Sequence, residues 1–234
     1  MIKGLKIWMF GTFVFAGIFC KAQSSADVLI KNVSAKIDRV NNYQANGKMK
    51  TNVAFLKVPE SEVKIYFKKP NKLKIKNEKG ISFVPKGAVS INLGNIINGG
   101  KYTALDAGFD MIGKEKVRVI KLLPEDDNAD VVLSTVYIDE ANQVIKKAKT
   151  TTRENGSYQL EMAYGKYIGY GLPDKIIFTF NTKDYKLPKG VTFDFDDGAE
   201  VKKTTPENLK KNQGMAEITF DSYIINKGVS DTLF

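Results

Sequence analysis

Hydrophobic and polar residues follow two different periods along this chain. Near the N-terminus, apolar residues recur every three or four positions, which predicts an amphipathic helix that Ser24 or Ser25 can cap. The apolar side of this helix carries Val28, Leu29, Val33, Ile37 and Val40. After Asn42 the period changes to two, which is typical of β-strands with one buried face. The sequence therefore predicts a helix followed by a long series of strands.

The predicted strands are short and are separated by turn sequences. In the second of them Val63, Ile65 and Phe67 alternate with charged or polar residues. Tight connections such as Arg-Glu-Asn-Gly at 153–156 favour antiparallel pairing of consecutive strands, because Asn-Gly readily adopts positive φ angles. The segments with a strand pattern are 43–56, 62–67, 72–76, 80–84, 89–93, 116–123, 130–138, 144–152, 157–164, 175–181, 191–195 and 216–225.

Two other segments complete the predicted domain. Residues 205–214 favour a second, short helix, because a threonine and a proline open the segment and a glycine ends it. Residues 95–113 contain several glycines and give no assignable pattern. No linker rich in proline or serine divides the chain, so residues 23–234 are predicted to form a single domain.

The N-terminal segment has the features of a secretory signal peptide. Two lysines precede an apolar run over residues 7–19, and Cys-Lys-Ala at 20–22 fits the cleavage pattern. Residues 1–22 are therefore expected to be removed together with the only cysteine of the chain. A cysteine-free exported protein is typical of a bacterial envelope, so the mature chain is expected in the periplasm. The alternative interpretation is that Cys20 becomes a lipidated N-terminus.

Composition and charge exclude several classes of function. The 234 residues include no histidine, which excludes a Ser-His-Asp relay, histidine-ligated zinc and a histidine pH switch. The formal net charge is +10, and removal of the leader leaves 33 basic and 26 acidic residues, a net charge of +7. Export and the scattered positions of the lysines argue against nucleic acid as a partner. Two interpretations of the charge stay open, a solvated lysine-rich surface and attraction to anionic lipid headgroups.

Two acidic clusters are the only candidates for chemistry. Residues 125–130 lack the spacing of a calcium loop and are interpreted as an acidic turn between strands. Asp194, Asp196 and Asp197 are the carboxylates that an envelope hydrolase could use, but their alternation with phenylalanine fits the end of a strand. No metal, cofactor or catalytic residue is predicted.

Large apolar side chains are numerous on the predicted strands, whereas helices are few. Helices of about 15 and 8 residues provide only about 20 and 12 Å of cover at 1.5 Å per residue. Part of one sheet face is therefore expected to line an apolar cavity, although an ordinary packed core would use the same residues. The residues assigned to this cavity are Val63, Ile65, Phe67, Leu73, Ile75, Phe83, Leu133, Leu160, Met162, Phe178 and Phe220.

The order of elements, together with one short motif, resembles a known family. Phe-Lys-Lys-Pro-Asn-Lys-Leu-Lys-Ile at 67–75 follows the predicted helix and first strands. Later come Val-Tyr-Ile-Asp at 136–139, Val-Ile-Lys-Lys-Ala at 144–148 and Leu-Pro-Lys-Gly-Val at 187–191. In these features the chain resembles the LolA/LolB-type carriers that sort outer-membrane lipoproteins.

The resemblance implies a mainly β, α+β fold, an unclosed antiparallel half-barrel of about 11 strands capped by helices. It also implies a carrier without enzymatic activity or cofactor, in which the apolar cavity is a lipid-binding cavity. Acylated lipoproteins or lipids would be its cargo, and lipoprotein-transfer proteins of the inner or outer membrane would be further partners. The family fold also serves sensor or interaction domains, so a domain whose cavity is filled by its own side chains stays open as an alternative.

The resemblance further assigns a role to Lys69. In the family an arginine at this position of the motif pins the helical lid through hydrogen bonds to the backbone. Lys69 is therefore the expected lid latch. A lysine ammonium lacks the planar fork of a guanidinium, so we expect a weaker latch here.

Overall fold

The computed structural model describes residues 25–53, 56–70, 72–77, 101–154, 156–181 and 213–234. The elements are helix α1 (Ser25–Ile37), strands β1 (Asn42–Val53), β2 (Leu56–Lys68), β3 (Lys72–Asn77), β4 (Tyr102–Ile112), β5 (Glu115–Pro124), β6 (Val131–Asp139), β7 (Val144–Thr152), β8 (Ser157–Ala163), β9 (Lys175–Asn181) and β10 (Gln213–Ile225), and the 3-10 turns η1 (Ile168–Tyr170) and η2 (Asp231–Leu233). The predicted signal peptide, the strands at 80–84, 89–93 and 191–195, and the second helix lie outside the described residues.

The described strands form one antiparallel sheet. Their order is β3-β2-β1-β10-β9-β8-β7-β6-β5-β4, and each neighbouring pair is antiparallel where its register is defined. Strands β3 and β4 end this order and do not pair with each other, so the sheet formed by the described strands is not closed into a barrel. The predicted fold class, a mainly β unclosed antiparallel half-barrel with few helices, is confirmed.

Helix α1 lies on one face of the sheet through a narrow apolar stripe. Its buried residues are Ala26, Ile30 and Val33, which recur at the spacing that brings side chains to one side of a helix. Val28, which the sequence pattern assigned to the apolar side, is 43% exposed. It lies two positions from Ala26 and Ile30, and at 3.6 residues per turn such a residue points away from their side.

Strand β4 occupies part of the segment whose pattern gave no assignment. Its register with β5 shifts between Asp106 and Phe109, and Gly108 has a φ of 82°. This bulge breaks the two-residue period by which a strand is recognised. Most side chains of β4 are also exposed, so the strand carries little hydrophobic signal.

Candidate functional site

One face of the sheet, which we call the covered face, carries a continuous apolar cluster against which α1 packs. The helix contributes Ala26, Ile30 and Val33 to this cluster. Large sheet residues that are almost fully buried in the cluster include Met49, Val63, Ile65, Ile120, Val136, Ile138, Ile145, Leu160 and Phe178. Large apolar surfaces with few polar groups are what lipid-like ligands require, so the covered face is the candidate site.

Most residues of the predicted cavity meet on this face. Val63, Ile65, Phe67, Leu160, Met162, Phe178 and Phe220 are buried in the cluster, and Leu73 and Ile75 are partly buried against it. Phe83 lies outside the described residues. The strand pattern thus selected a set of side chains that the sheet brings together from β2, β3, β8, β9 and β10.

Leu133 does not join the cluster. Strand β6 turns Ser134, Val136 and Ile138 inward, so Leu133 lies on the opposite face of the sheet. The buried Ser134 hydroxyl is tolerated because its Oγ lies 2.9 Å from Oγ1 of the buried Thr150, within hydrogen-bond distance. Leu133 therefore cannot line a site on the covered face.

An aromatic group closes the end of the covered face near the C-terminus of α1. The Tyr43 ring stacks on Phe67 at 5.2 Å and meets Tyr223 edge-on at 5.3 Å. Tyr223 also contacts Phe220 at 5.0 Å and Tyr167 at 4.9 Å. These separations are favourable for aromatic pairs and stabilise the packing at this end of the site. The three tyrosines were not predicted, because a residue with both an apolar ring and a hydroxyl gives no clear signal in a hydropathy pattern.

A small apolar cavity lies beside the aromatic group. Its volume is about 40 Å³, and it is lined by Ile37, Val40, Tyr43, Phe67, Tyr170, Gly171, Leu172, Pro173, Ile176, Phe220 and Tyr223. A cavity that binds benzene has a volume of about 150 Å³. This cavity is therefore too small for an acyl chain, and among the described residues α1 packs against the apolar cluster of the covered face.

A wider groove lies along the other side of α1. Its volume is about 590 Å³, and it is lined by Asp27, Lys31, Ser34, Ala35, Asp38, Lys101, Tyr102 and Glu125. Three carboxylates and two ammonium groups are among its lining residues. This groove suits water and ions rather than an acyl chain.

Burial changes the acidity of three tyrosines in the site, and two of them donate hydrogen bonds to backbone carbonyls. Burial raises the pKa of Tyr43, Tyr164 and Tyr223 well above the usual value, because a phenolate would lose its hydration. The Tyr223 hydroxyl donates to the Pro173 carbonyl at 2.7 Å, and the Tyr164 hydroxyl donates to the Ile145 carbonyl at 2.9 Å. These hydroxyls stay neutral near pH 7, and the two hydrogen bonds connect the tyrosines to neighbouring backbone segments of the site.

Polar contacts fasten both ends of α1. Near its start, Arg118 Nη2 donates to Ser25 Oγ at 3.4 Å. Near its end, Lys36 Nζ donates to the Asn142 carbonyl at 2.5 Å. Lys69 Nζ donates to the Asp38 backbone carbonyl at 2.7 Å and to the Asp38 carboxylate at 2.9 Å. Lys69 thus joins the turn between β2 and β3 to the residue directly after the helix.

Besides Lys69, Asn226 also binds the connection between α1 and β1, residues 38–41. The Asn41 and Asn42 amides donate to Asn226 Oδ1 at 2.7 and 3.3 Å. Asn226 Nδ2 in turn donates to the Arg39 carbonyl at 2.8 Å. Asn226 has a φ of 56°, a left-handed conformation that asparagine tolerates better than most residues. The sequence gave no signal for this residue, because its partners are distant in the chain.

The turn that carries Lys69 is also tied to the C-terminal segment. The Asp231 carboxylate accepts from Lys68 Nζ at 2.8 Å and from Lys72 Nζ at 2.7 Å. The hydrogen bonds from Lys68 and then Lys72 lower the pKa of Asp231 to about 2.

These contacts predict an acid dependence for Asp231. A carboxyl whose folded pKa lies below its unfolded value adds stability above the unfolded value, 3.8, and this contribution is lost as the pH falls through about 2. We expect wild type to be slightly more stable than Asp231→Asn at pH 6 in urea unfolding, with the difference shrinking between pH 4 and pH 2. A difference that grows on acidification would contradict the assignment.

The described residues offer little else for chemistry. They contain no group of three or more histidine, cysteine, aspartate or glutamate side chains that could hold a metal ion. In the same part of the chain, no helix is long and apolar enough to span a membrane. The carboxylates Asp194, Asp196 and Asp197 lie outside the described residues.

Comparison with known proteins identifies the fold. No protein-family model and no curated protein matches this chain. A solved outer-membrane lipoprotein-sorting protein domain from Vibrio parahaemolyticus matches with a TM-score of 0.54 and 10% identity, over 89% of this chain and 96% of that one. A LolA superfamily protein from Nitrosomonas europaea matches with a TM-score of 0.53 and 11% identity, over 91% and 98% of the two chains.

A DUF1329 family protein from Desulfovibrio piger has the same fold, with a TM-score of 0.56, 10% identity and coverage of 91% and 98% of the two chains. At these identities the likeness is one of fold, and it spans nearly the whole of each chain. The unclosed sheet formed by the described strands is thus similar in fold to a LolA superfamily protein and to a lipoprotein-sorting protein domain.

Proposed function

We propose that this chain is a periplasmic carrier that shelters the acyl chains of lipids or lipoproteins against the covered face. The observation that carries the proposal is the sharing of one apolar cluster between the sheet and a single described helix. Displacement of α1 would uncover an apolar surface already formed by the strands. The proposed role is binding and transfer, without a catalytic step or cofactor.

The magnitudes favour displacement of the helix by a lipid. Ile30 and Val33 are almost fully buried, and exposing two such side chains costs about 3 to 6 kcal/mol. Burying an acyl chain of about 16 carbons contributes about 12 kcal/mol at about 0.8 kcal/mol per methylene. Relative to an acyl chain exposed to water, binding therefore supplies more free energy than the burial of Ile30 and Val33 provides.

In this proposal Lys69 is the latch of the closed state. Its contacts join the turn between β2 and β3 to the first residue after α1. The Lys69 and Asp38 side chains are 32% and 48% exposed, so solvent screens their ion pair and the latch is weak. A weak latch suits a lid that a ligand must open.

Lys69→Met is expected to loosen α1 while leaving the sheet intact. Loss of an exposed ion pair and one hydrogen bond costs about 1 kcal/mol, so hydrogen exchange in α1 should accelerate about fivefold. Mass spectrometry of exchanging peptides from residues 25–37 measures this change. Lys72→Met is the matched control, because Lys72 belongs to the same hairpin but pairs with Asp231. Equal acceleration in both variants would remove the latch assignment.

Export and domain organisation complete the proposal. Residues 1–22 would direct the chain to the periplasm, and residues 23–234 would form the carrier domain. Acylated lipoproteins or lipids would be the cargo, and membrane-bound lipoprotein-transfer proteins would load or unload it. A lipid anchor at Cys20 is the alternative to cleavage after Ala22.

The small size of the described apolar cavity favours one second candidate. Its volume of about 40 Å³ is far below the roughly 300 Å³ of a typical ligand pocket. Side chains of the protein leave little empty space there, as expected of a sensor or interaction domain on the same fold. Titration of the mature protein with a fluorescent fatty acid separates the two functions. Saturable binding with a blue-shifted emission supports the carrier, and absence of binding supports the sensor or interaction domain.

A further inference from the structure

The hairpin of β4 and β5 carries two exposed apolar side chains near the start of α1. Phe109 is 49% exposed and Met111 is 55% exposed. In the register of the hairpin they pair with Arg118 and Lys116. Arg118 pairs in turn with Ile138, a residue of the apolar cluster. Both side chains therefore project on the same side of the sheet as the covered face, at an edge where they stay in contact with solvent.

Two cations flank the exposed Phe109 ring. Lys116 Nζ lies 4.0 Å from the ring centroid, and Arg118 Cζ lies 4.5 Å from it. The Arg118 guanidinium is already compensated, because it binds the Asp106 carboxylate. Within the described residues, no carboxylate forms an ion pair with Lys116. The Phe109 face therefore presents an ammonium group that an external anion can reach.

The other charges at the hairpin end leave this surface basic. Lys114 is exposed at the turn. Glu115 is paired with Lys146 at 2.8 Å. Asp110 follows Phe109 directly and pairs with Val117, which places it on the opposite side of the hairpin. The side that carries Phe109 and Met111 thus combines apolar area with the ammonium group of Lys116, and Lys114 is exposed at the adjacent turn.

We propose that this hairpin end docks the protein on an anionic membrane surface. Phe109 and Met111 would enter the boundary between headgroups and acyl chains, and Lys114 and Lys116 would contact lipid phosphates. The net charge of the chain, +10 with the leader and +7 without it, has the sign that such a surface attracts. The positive charge and the exposed apolar area therefore both favour an anionic membrane surface as the partner of this hairpin end.

The docking surface is separate from the cavity of the proposed carrier. Neither Phe109 nor Met111 belongs to the apolar cluster or lines the aromatic cavity. Docking would nevertheless turn the side of the sheet that α1 covers toward the bilayer. Vesicle binding and fatty-acid binding are thus independent measurements, and failure of one leaves the other interpretable.

Vesicle flotation with the mature protein tests the docking surface. We expect binding to phosphatidylcholine vesicles that contain phosphatidylglycerol, and weaker binding to pure phosphatidylcholine or at high salt. Replacing both Phe109 and Met111 by serine should weaken binding at least about tenfold. Lys116→Gln should weaken binding to anionic vesicles about threefold and leave binding to neutral vesicles unchanged.

Leu105→Ser is the matched control for the apolar pair. Leu105 lies on the same strand and is 48% exposed, but it pairs with Lys121 on the other side of the hairpin. Circular dichroism should show the same folded spectrum for every variant. The proposal is overturned if wild type does not bind anionic vesicles, in which case a protein partner becomes the better occupant. It is also overturned if Leu105→Ser reduces binding as much as the double variant does.

Discussion

Phe178→Ala is expected to lower the free energy of unfolding by about 3 to 5 kcal/mol. The side chain is 1% exposed, and its ring lies 5.5 Å from Tyr158 and 5.3 Å from Phe180. In the sheet Phe178 pairs with Leu160 on one side and Ala216 on the other, so three strands lose packing when the ring is removed. Urea unfolding followed by circular dichroism measures the change.

Phe109→Ala provides the comparison for this prediction. Phe109 is the same residue type but is 49% exposed, so its removal should cost less than about 1 kcal/mol. The difference between the two variants isolates burial from residue type. Similar losses of stability in both would show that the centre of the apolar cluster does not lie around β9.

Leu73→Glu is expected to abolish acyl-chain binding while leaving the protein folded. Leu73 is partly buried at the margin of the apolar cluster and pairs with Phe67 across β2 and β3. Its position at the margin lets a carboxylate stay hydrated in the closed state. Against a bound acyl chain the same carboxylate would be desolvated without a partner, so affinity should fall by more than about tenfold.

Lys74→Glu is the matched control for this variant. Lys74 is the next residue of β3, and it pairs with Tyr66 on the opposite face of the sheet. Fatty-acid titration of both variants and wild type, with circular dichroism to confirm folding, makes the comparison. Unchanged affinity in Leu73→Glu would exclude β3 from the binding surface.

The period of the hydrophobic pattern predicted where helices and strands begin better than it predicted which face of the sheet each side chain occupies. The switch from a helical to a two-residue period at Asn42 coincides with the start of β1. In β5, however, Val117 and Val119 are buried on one face while Ile120 and Leu122 are buried on the other, in the cluster. When a strand has apolar residues on both faces, the sequence pattern does not indicate which of the two faces packs in the cluster.

The misplacement of Leu133 has the same physical origin. On β6, Ser134 occupies a buried position on the covered face. Because serine is polar, a hydropathy pattern predicts such a position to be exposed. The hydrogen bond of Ser134 with Thr150 crosses to the neighbouring strand, so only the pairing of β6 with β7 shows that the hydroxyl is satisfied. Local patterns therefore selected the wrong face for Leu133.

Contacts between distant residues could not be predicted from local patterns. The motif at 67–75 pointed to Lys69, but its partner Asp38 follows from the position of α1 on the sheet. Asn226 binds the α1–β1 connection although the two are separated by more than 180 residues in the sequence. The aromatic group of Tyr43, Tyr167 and Tyr223 likewise forms only when β1, η1 and β10 meet.

Native mass spectrometry of the mature protein, purified from the periplasm without detergent, tests the central claim most directly. The account predicts a bound acylated peptide or lipid that organic extraction releases, and that is absent from Leu73→Glu purified in the same way. A preparation that repeatedly shows only the mass of the bare chain, together with no uptake of a fluorescent fatty acid, would contradict the account.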